Sequence, residues 1–233
     1  MKGVAASGFE AISVRHHIGG RPWRLLPQRA AFMPEASSLI VADAHFGKAA
    51  AFRARGVPVP QGTTSENLAR LSQLIAQLRP DRLVFLGDLF HARESHAPVT
   101  IEAFSVWRRQ HAALELVLVE GNHDLHAGAP PPALGIRVEA EPWFCGEFAF
   151  CHHPRRVAGH TVVAGHLHPC VRLYGRAGES LRLPCFWIRD GLVILPAFGD
   201  FTGGASIERE DGDRVIGIAD DRLFEVPALT RAA

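Results

Sequence analysis

A chain of 233 residues with 47% hydrophobic and 21% charged residues is long enough to bury one large core, and a single domain over 1–233 is expected. A formal net charge of +1 offers no long-range field for a polyanion, so a nucleic-acid partner would have to meet a local patch. Four cysteines (Cys145, Cys151, Cys170, Cys185) without CxxC or disulfide spacing, no signal-peptide pattern, and no apolar run near the roughly eighteen residues that span a bilayer exclude a disulfide scaffold and a membrane span, and point to a reducing cytoplasm.

In chain order, residues 1–37 carry Gly19, Gly20, Pro22, Pro27 and Pro34, so only a short strand or two at a sheet edge is expected there. Leu39 to Ala42 form the first strand and deliver Asp43 and His45 at its end. Phe46 to Gln61 read as loop, given Gly56, Pro58 and Pro60. Thr63, Thr64, Ser65 and Glu66 fit a capping box, and Leu68, Leu71, Ile75 and Leu78 then recur at helical spacing until Pro80. Leu83 to Leu86 suit a strand buried on both faces, stopping at Gly87 and Asp88 with Leu89, Phe90 and His91 behind. A second helix is expected from about Pro98 to Ala112, with Ile101, Phe104, Trp107 and His111 along one face. It returns the chain to a strand at Leu116 to Val119, followed by Gly121, Asn122, His123 and Asp124.

Strand–helix alternation over 39–119 is an α/β pattern. After Pro130, Pro131 and Pro132 the character changes: short strands run from about Gly135 to Ala219, with turns at Gly146, Gly159, Gly178, Asp190-Gly191 and Asp211-Gly212. This half reads as a mostly antiparallel sheet. Two sheets packed face to face with helices outside accommodate both halves in one α/β domain.

One grammar recurs at five strand ends: an apolar run, then a cluster of Asp, Asn and His. The last two are Phe148 to Cys151 followed by His152 and His153, and Thr161 to Ala164 followed by Gly165, His166 and His168. Seven of the thirteen histidines lie inside these clusters; His16, His17, His96, His111, His126 and His160 lie outside. Polar clusters of this kind destabilise a rim unless they are hydrogen-bonded or bind metal. Carboxylate and amide oxygens mixed with imidazole suit Mn²⁺, Fe²⁺ or Zn²⁺, and the absence of nearby Cys ligands argues against a structural zinc. Too many ligands converge for one ion. Two ions about 3.5–4 Å apart, sharing one carboxylate, would use them all. Asp88 is central in the array and suits the bridge. Such a pair brings the pKa of a shared water down from ~15.7 and neutralises phosphoryl oxygens, so phosphoester hydrolysis by a metal-activated hydroxide is the natural reaction. A histidine beside the metals can protonate the leaving oxygen, an effect of roughly 10²–10⁴-fold, and His123, next to Asn122, is placed for it.

Asp43-Ala44-His45, Gly87-Asp88, Gly121-Asn122-His123-Asp124, His152 and Gly165-His166-Leu167-His168 resemble, in order, the five motifs of the calcineurin-like metallophosphoesterases. The resemblance implies a two-sheet α/β sandwich. It also implies one metal on Asp43, His45, Asp88 and His168 and another on Asp88, Asn122, His152 and His166, with His123 as general acid. His153 is the alternative to its neighbour His152. Asp124 completes its motif and is grouped with His123 and His91 as a catalytic candidate.

His91 and Ala92 stand where the protein-phosphatase branch has a second Asp and an Arg, which argues against a phosphoprotein substrate. Gly87 to His91 instead resembles the nuclease branch, in which the trailing histidine supports the site; a plain turn residue is the other reading of His91. Val41 to Lys48, Phe150 to Pro154 and Leu195 to Gly204 are similar to the ligase-associated DNA-damage-response endonucleases of the PdeM type. That likeness implies a manganese-dependent phosphodiesterase acting on DNA, single-stranded or with single-stranded regions. It also implies repair partners, a DNA helicase and an ATP-dependent DNA ligase.

Lys48, Arg93 and Arg155 are candidate phosphate contacts, with Arg156 beside them, against the alternative of solvated surface charges. Phe46 and Phe90 are candidates for stacking on bases, whereas Trp107, Phe198 and Phe201 read as structural. Two rival functions stand beside the DNA reading. One is a small-molecule or nucleotide phosphodiesterase or phosphatase of the same chemistry; the other is a non-catalytic scaffold, whose signature would be lost ligands.

Overall fold

Three apolar runs in this chain, Leu39–Ala42, Leu83–Leu86 and Leu116–Val119, have both faces to bury, and the fold gives each face its own core. The computed structural model describes residues 14–59, 62–175, 178–200 and 202–228. Among these, the first half forms a seven-stranded sheet in chain order. Its strands are β1 (Val14–Ile18), β2 (Arg21–Leu26), β3 (Ala30–Met33), β4 (Ser38–Ala42), β5 (Arg82–Leu86), β6 (Glu115–Val119) and β7 (Ile136–Glu139). Strands β1 to β4 are an antiparallel meander at the edge, whereas β4, β5, β6 and β7 are parallel. Four helices connect the parallel strands: α1 (Lys48–Ala54), α2 (Thr63–Leu78), α3 (Pro98–Gln110) and α4 (Asn122–Ala127).

The period of two in a strand separates the cores. Leu39, Val41, Leu83, Phe85, Leu116 and Leu118 pack against Leu68, Leu71 and Leu74 of α2 and Phe104 and Trp107 of α3. The alternate residues Ile40, Ala42, Val84, Leu86, Val117 and Val119 face the second sheet and meet Phe148, Phe150, Val163, Phe186 and Val193. A chain burying both faces of one sheet cannot tolerate a one-residue slip in register, because every side chain would change cores.

The second sheet is built from β8 (Trp143–Cys145), β9 (Phe148–Phe150), β10 (Thr161–Ala164), β11 (Pro169–Tyr174), β12 (Ser180–Arg189), β13 (Leu192–Ile194) and β14 (Ala205–Ser206). Strands β15 (Arg214–Ala219) and β16 (Arg222–Glu225) join it through β12. Most pairings are antiparallel, as expected, but β10 runs parallel to both β9 and β13, and β11 runs parallel to β14. The parallel β9–β10 pair matters for function. It brings two histidine-bearing strand ends to one rim, and a hairpin would have put them at opposite ends. Two mixed sheets packed face to face, with helices outside, are the architecture expected from the sequence.

Three local expectations need correction. The span from Phe46 to Gln61, read as loop, contains α1; its Ala49-Ala50-Ala51 core is strongly helix-forming, and the breakers Gly56 and Pro58 lie beyond its end. The expected capping box does not form. Gly62 occupies the N-cap of α2 without a side-chain cap bond, and the Thr64 hydroxyl instead accepts the Gly47 amide at 3.2 Å. The third correction is at the second helix, which ends at Gln110, two residues early. Phe201 and residues 1–13 of the N-terminal segment lie outside the described residues.

Candidate metal centre

Parallel strands place their carboxyl ends together, and here that rim collects the polar clusters. Asp43 follows β4, Asp88 follows β5, and Asn122 opens α4 just after β6. From the second sheet, His152 follows β9, and His166 and His168 follow β10. The two sheets are stitched at this rim: Phe198 N–H donates to the Ala42 carbonyl at 2.8 Å, and Gly199 N–H to the Asp43 carbonyl at 3.1 Å.

The backbone is strained where the clusters sit. Of nine described non-glycine residues with positive φ, five are Asp43 (53°), His45 (45°), Asp88 (52°), His166 (69°) and His168 (47°). Left-handed non-glycine residues cost of order 1 kcal/mol or more each and persist only where surroundings over-determine them. Bonds of that kind are present: His45 N–H donates to the Asp88 carbonyl at 2.9 Å, and His166 N–H to Asp43 Oδ2 at 2.9 Å. The motif glycines make room. A Cβ on Gly121 would sit 2.6 Å from Asp88 Oδ1, and one on Gly165 would sit 2.7 Å from Asp43 Oδ2.

All seven candidate ligands meet in one pocket of the rim. His45 Nε2 lies 3.6 Å from Asp88 Oδ2, and His168 Nε2 lies 3.4 Å from Asp43 Oδ1. His152 Nε2 lies 3.5 Å from Asp88 Oδ1, 2.9 Å from Asn122 Oδ1 and 3.0 Å from His166 Nδ1. Asp43, His45 and His168 form one group whose donor atoms all lie within 4.8 Å of one another, and Asp43, Asp88 and His152 form another.

These side chains fit divalent cations. The His45 Nε2 atom is buried without a hydrogen-bond partner among the described residues, an arrangement that is costly unless something fills it. The His152 Nδ1–H donates to the Leu86 carbonyl at 3.1 Å, which leaves Nε2 as an acceptor facing the acceptor oxygen of Asn122. His168 is oriented the same way, its Nδ1–H donating to the Thr202 carbonyl at 3.1 Å. Buried carboxylates at Asp43 and Asp88, with imidazole nitrogens converging on them, suit a cation between them.

Charge states follow from the same packing. Burial holds His45 far below the ordinary histidine range, with Lys48 adding repulsion. Burial likewise lowers His91 to about 4, helped by Lys48 and His123, and lowers His166, helped by His152. Burial also works against charging His168, but the Asp43 carboxylate and the Thr202 carbonyl outweigh it and raise its pKa. Lys48 is lowered by burial, partly offset by the attraction of Asp88 and Asp43, so the two carboxylates lie within electrostatic reach of its ammonium.

Around the cluster, His123 stands with its Nδ1–H donating to the His91 carbonyl at 2.8 Å and its ring stacked on His91, centroids 4.8 Å apart. Its amide donates to Asp88 Oδ1 at 2.9 Å. Asp124 is buried behind the site, its carboxylate taken up by backbone amides. Burial raises its pKa to about 6 against the pull of those amides, and the charge of Asp88 adds to the rise.

His152 is fully buried among Asp43, Asp88 and Asn122, whereas the His153 side chain is 41% exposed and donates from Nδ1 to Glu141 Oε1 at 2.7 Å. Arg155 pairs with Glu141, while Arg93 is exposed and makes no ion pair among the described residues. The stacking expectation for Phe46 and Phe90 is overturned. Both rings are only 1% exposed and pack in the helix-side core around Phe104. Trp107 and Phe198 are core residues, as expected.

Glu141 had no signal in the sequence. It lies eleven positions before His152, yet it accepts the amides of His152 at 2.7 Å and His153 at 2.9 Å. Leu195 to Gly204, a stretch that metal chemistry does not explain, acts through its backbone: Thr202 orients His168, and Phe198 and Gly199 join the two sheets. Asp200 is held between Arg29 at 3.2 Å and Arg70 at 3.4 Å.

The profile of the calcineurin-like phosphoesterase family matches residues 37–179. Among solved structures, the chain is similar to a crystal structure of Pseudomonas putida nuclease MPE, at 39% identity and a TM-score of 0.81, covering 92% of this chain and 100% of that one. It also aligns with Yfce, a phosphoesterase from E. coli, at 17% identity and a TM-score of 0.39 over 80% of this chain and 90% of that one. No curated protein matches it.

Proposed function

The chain belongs to the calcineurin-like phosphoesterase family and is a metal-dependent phosphoesterase, and from that premise we propose that it is a phosphodiesterase that cleaves DNA within a strand. The observation carrying the catalytic part is the convergence of two buried carboxylates, an amide oxygen and four imidazoles around an unpartnered His45 nitrogen. Support for a nucleic-acid substrate is the likeness to a nuclease over nearly the whole chain.

Asp43, His45, Asp88 and His168 would hold one divalent ion, and Asp88, Asn122, His152 and His166 the other. When bound, two such ions supply an ionised water as nucleophile and Lewis acidity toward the phosphoryl oxygens. Manganese is our choice of ion, for the mixed oxygen and imidazole donors and the family likeness. The protein residues do the rest. Asp88 lies between the two groups, its backbone fixed by Asp124. His123, tethered through Nδ1 to the His91 carbonyl, keeps Nε2 available, and in its cationic form can release a proton to the departing oxygen. Lys48, within electrostatic reach of the carboxylates, is the phosphate contact favoured here. Arg155, committed to Glu141, holds the His152–His153 turn.

The likeness of residues 41–48, 150–154 and 195–204 to the ligase-associated endonucleases supports a cytoplasmic repair role beside a helicase and an ATP-dependent ligase. Metal-stripped protein re-supplied with Mn²⁺, acting on closed circular single-stranded DNA beside an Asn122→Ala control, tests the central reading. Linear product from the wild type alone is expected, since a circle has no ends for an exonuclease. Survival of the circle while a small phosphodiester is cleaved would overturn cleavage within a strand and leave a nucleotide, an end-requiring DNA or a partner-presented substrate.

A further inference from the structure

Immediately after His168 the chain enters the β11–β12 hairpin. In its register Arg172 lies directly opposite Arg182, Tyr174 opposite Ser180, and Cys170 opposite Pro184. Residues two apart share a face, so these six form one continuous face of the hairpin. At its base Cys170, Pro184 and Arg182 line a cavity of about 230 Å³ together with His168 and Arg29. The face therefore begins at the candidate metal centre and runs outward; six residues of strand carry it about 20 Å, to Tyr174.

Two features of this face lack an explanation within the chain. Like charges directly opposite in a sheet are destabilising, yet Arg172 and Arg182 have no ion pair among the described residues. Among the described residues Arg172 donates only to Ser180 Oγ at 3.2 Å, and Arg182 only to the Gly204 carbonyl at 3.1 Å. Beyond them, Tyr174 stands 76% exposed. The nearby carboxylates do not neutralise the pair, because Asp200 is held by Arg29 and Arg70, and Glu179 lies against Gly175 at the tip. The neighbouring cavity, past Pro184, is lined by Asp220 and Asp221 as well as Arg29 and Arg70, so it offers phosphate no net positive charge.

Resting on the DNA-cleavage reading, we propose that the Arg172–Arg182–Tyr174 face of this hairpin is the track on which a single-stranded nucleic acid approaches the metal centre. Arg182 and Arg172 take backbone phosphates in turn, which resolves their mutual repulsion, and Tyr174 stacks on an unpaired base. A duplex keeps its bases stacked on one another and offers Tyr174 no partner. The occupant is thus a single strand.

The test is fluorescence anisotropy of a labelled twelve-nucleotide single strand with phosphorothioate linkages, titrated with the metal-loaded protein across a salt series, for wild type, Arg172→Gln/Arg182→Gln and Tyr174→Ala. The double variant is expected to bind about tenfold more weakly and to lose about 1.4 from the slope of log affinity against log salt, ~0.7 per phosphate contact. Tyr174→Ala is expected to weaken binding about tenfold with the slope retained. Cleavage of single-stranded DNA should fall at least fivefold more than cleavage of a small chromogenic diester, which separates a lost track from a misfolded site. Unchanged affinity and slope in variants of a wild type that does cleave DNA would overturn the track alone. A wild type that hydrolyses the small diester but neither binds nor cleaves DNA would overturn the DNA reading and the track with it.

Discussion

Asp124 holds Asp88 by its backbone: Asp124 Oδ2 accepts the Asp88 amide at 2.7 Å and the Gly121 amide at 2.9 Å, while Oδ1 accepts the Leu89 amide at 2.9 Å. Asp88 sits there at φ 52°, in a conformation an aspartate avoids when nothing holds it. A buried carboxylate thus offsets the strain at the carboxylate that faces both ligand groups.

Asp124→Asn keeps the shape but turns one acceptor into a donor aimed at backbone N–H groups, leaving buried donors unpaired at about 1–3 kcal/mol. The expected outcome is a folded protein with a lowered melting temperature and metal affinity reduced about 10- to 100-fold, as for other residues that orient ligands. Metal content after gel filtration, beside a thermal melt, measures both. Full metal retention would mean that the strands alone fix Asp88.

The His123 ring is tethered by its Nδ1 to the His91 carbonyl and, among the described residues, makes no hydrogen bond to a candidate ligand, so replacing the side chain should separate chemistry from metal binding. His123→Asn is expected to lower kcat on a phosphodiester by about 10²–10⁴-fold with metal content unchanged. The deficit should shrink on a diester with a good leaving group, which needs no proton. An equal loss on both substrates would remove His123 from the acid role.

Much of this site was legible because its ligands are tied to strand ends. Asp43, Asp88 and Asn122 each follow an apolar run, and the parallel order of β4, β5 and β6 puts the ends of those runs side by side. The unbroken apolar run Leu83–Leu86 also announced burial on both faces. Glu141 was invisible for the opposite reason: it reaches His152 and His153 across a turn, and no period links residues eleven apart. Phe46 and Phe90 misled because they lie close to motif residues in sequence, yet Phe46 follows left-handed His45, Phe90 lies two residues past left-handed Asp88, and both rings turn into the core. Helix α1 was lost beneath the glycine and prolines that follow it.

Glu141 gives a further prediction. It accepts two amides and the His153 ring while pairing with Arg155, so one carboxylate fixes the turn that carries His152. Glu141→Gln retains one oxygen acceptor but loses the charge. Metal affinity is expected to fall about tenfold, the lower end for a residue supporting a ligand. Arg155→Gln should cause a smaller loss, since it removes a partner of Glu141 and leaves the amides satisfied. Isothermal titration with Mn²⁺ ranks the two, and the reverse order would show that Arg155, not Glu141, anchors the turn.

Far from the metal centre, His16 sets part of the acid sensitivity of the fold. It is buried at the sheet edge, Nε2 without a partner among the described residues and Nδ1 3.2 Å from an Arg214 nitrogen. Burial disfavours its imidazolium, Arg214 adds repulsion, and Glu225 only partly offsets them, so the folded pKa lies below 6.5. Unfolded, His16 titrates near 6.5, and below that pH the unfolded chain binds the extra proton first. Its contribution to stability is therefore complete above pH 6.5 and is lost as pH falls through the folded pKa, by at most about 1.4 kcal/mol per pH unit. Urea midpoints at pH 7.5 and 5.5, on metal-stripped wild type and His16→Gln alike, isolate this term. The wild type is expected to lose more stability on acidification than the glutamine variant, and parallel losses would assign the acid sensitivity to other groups.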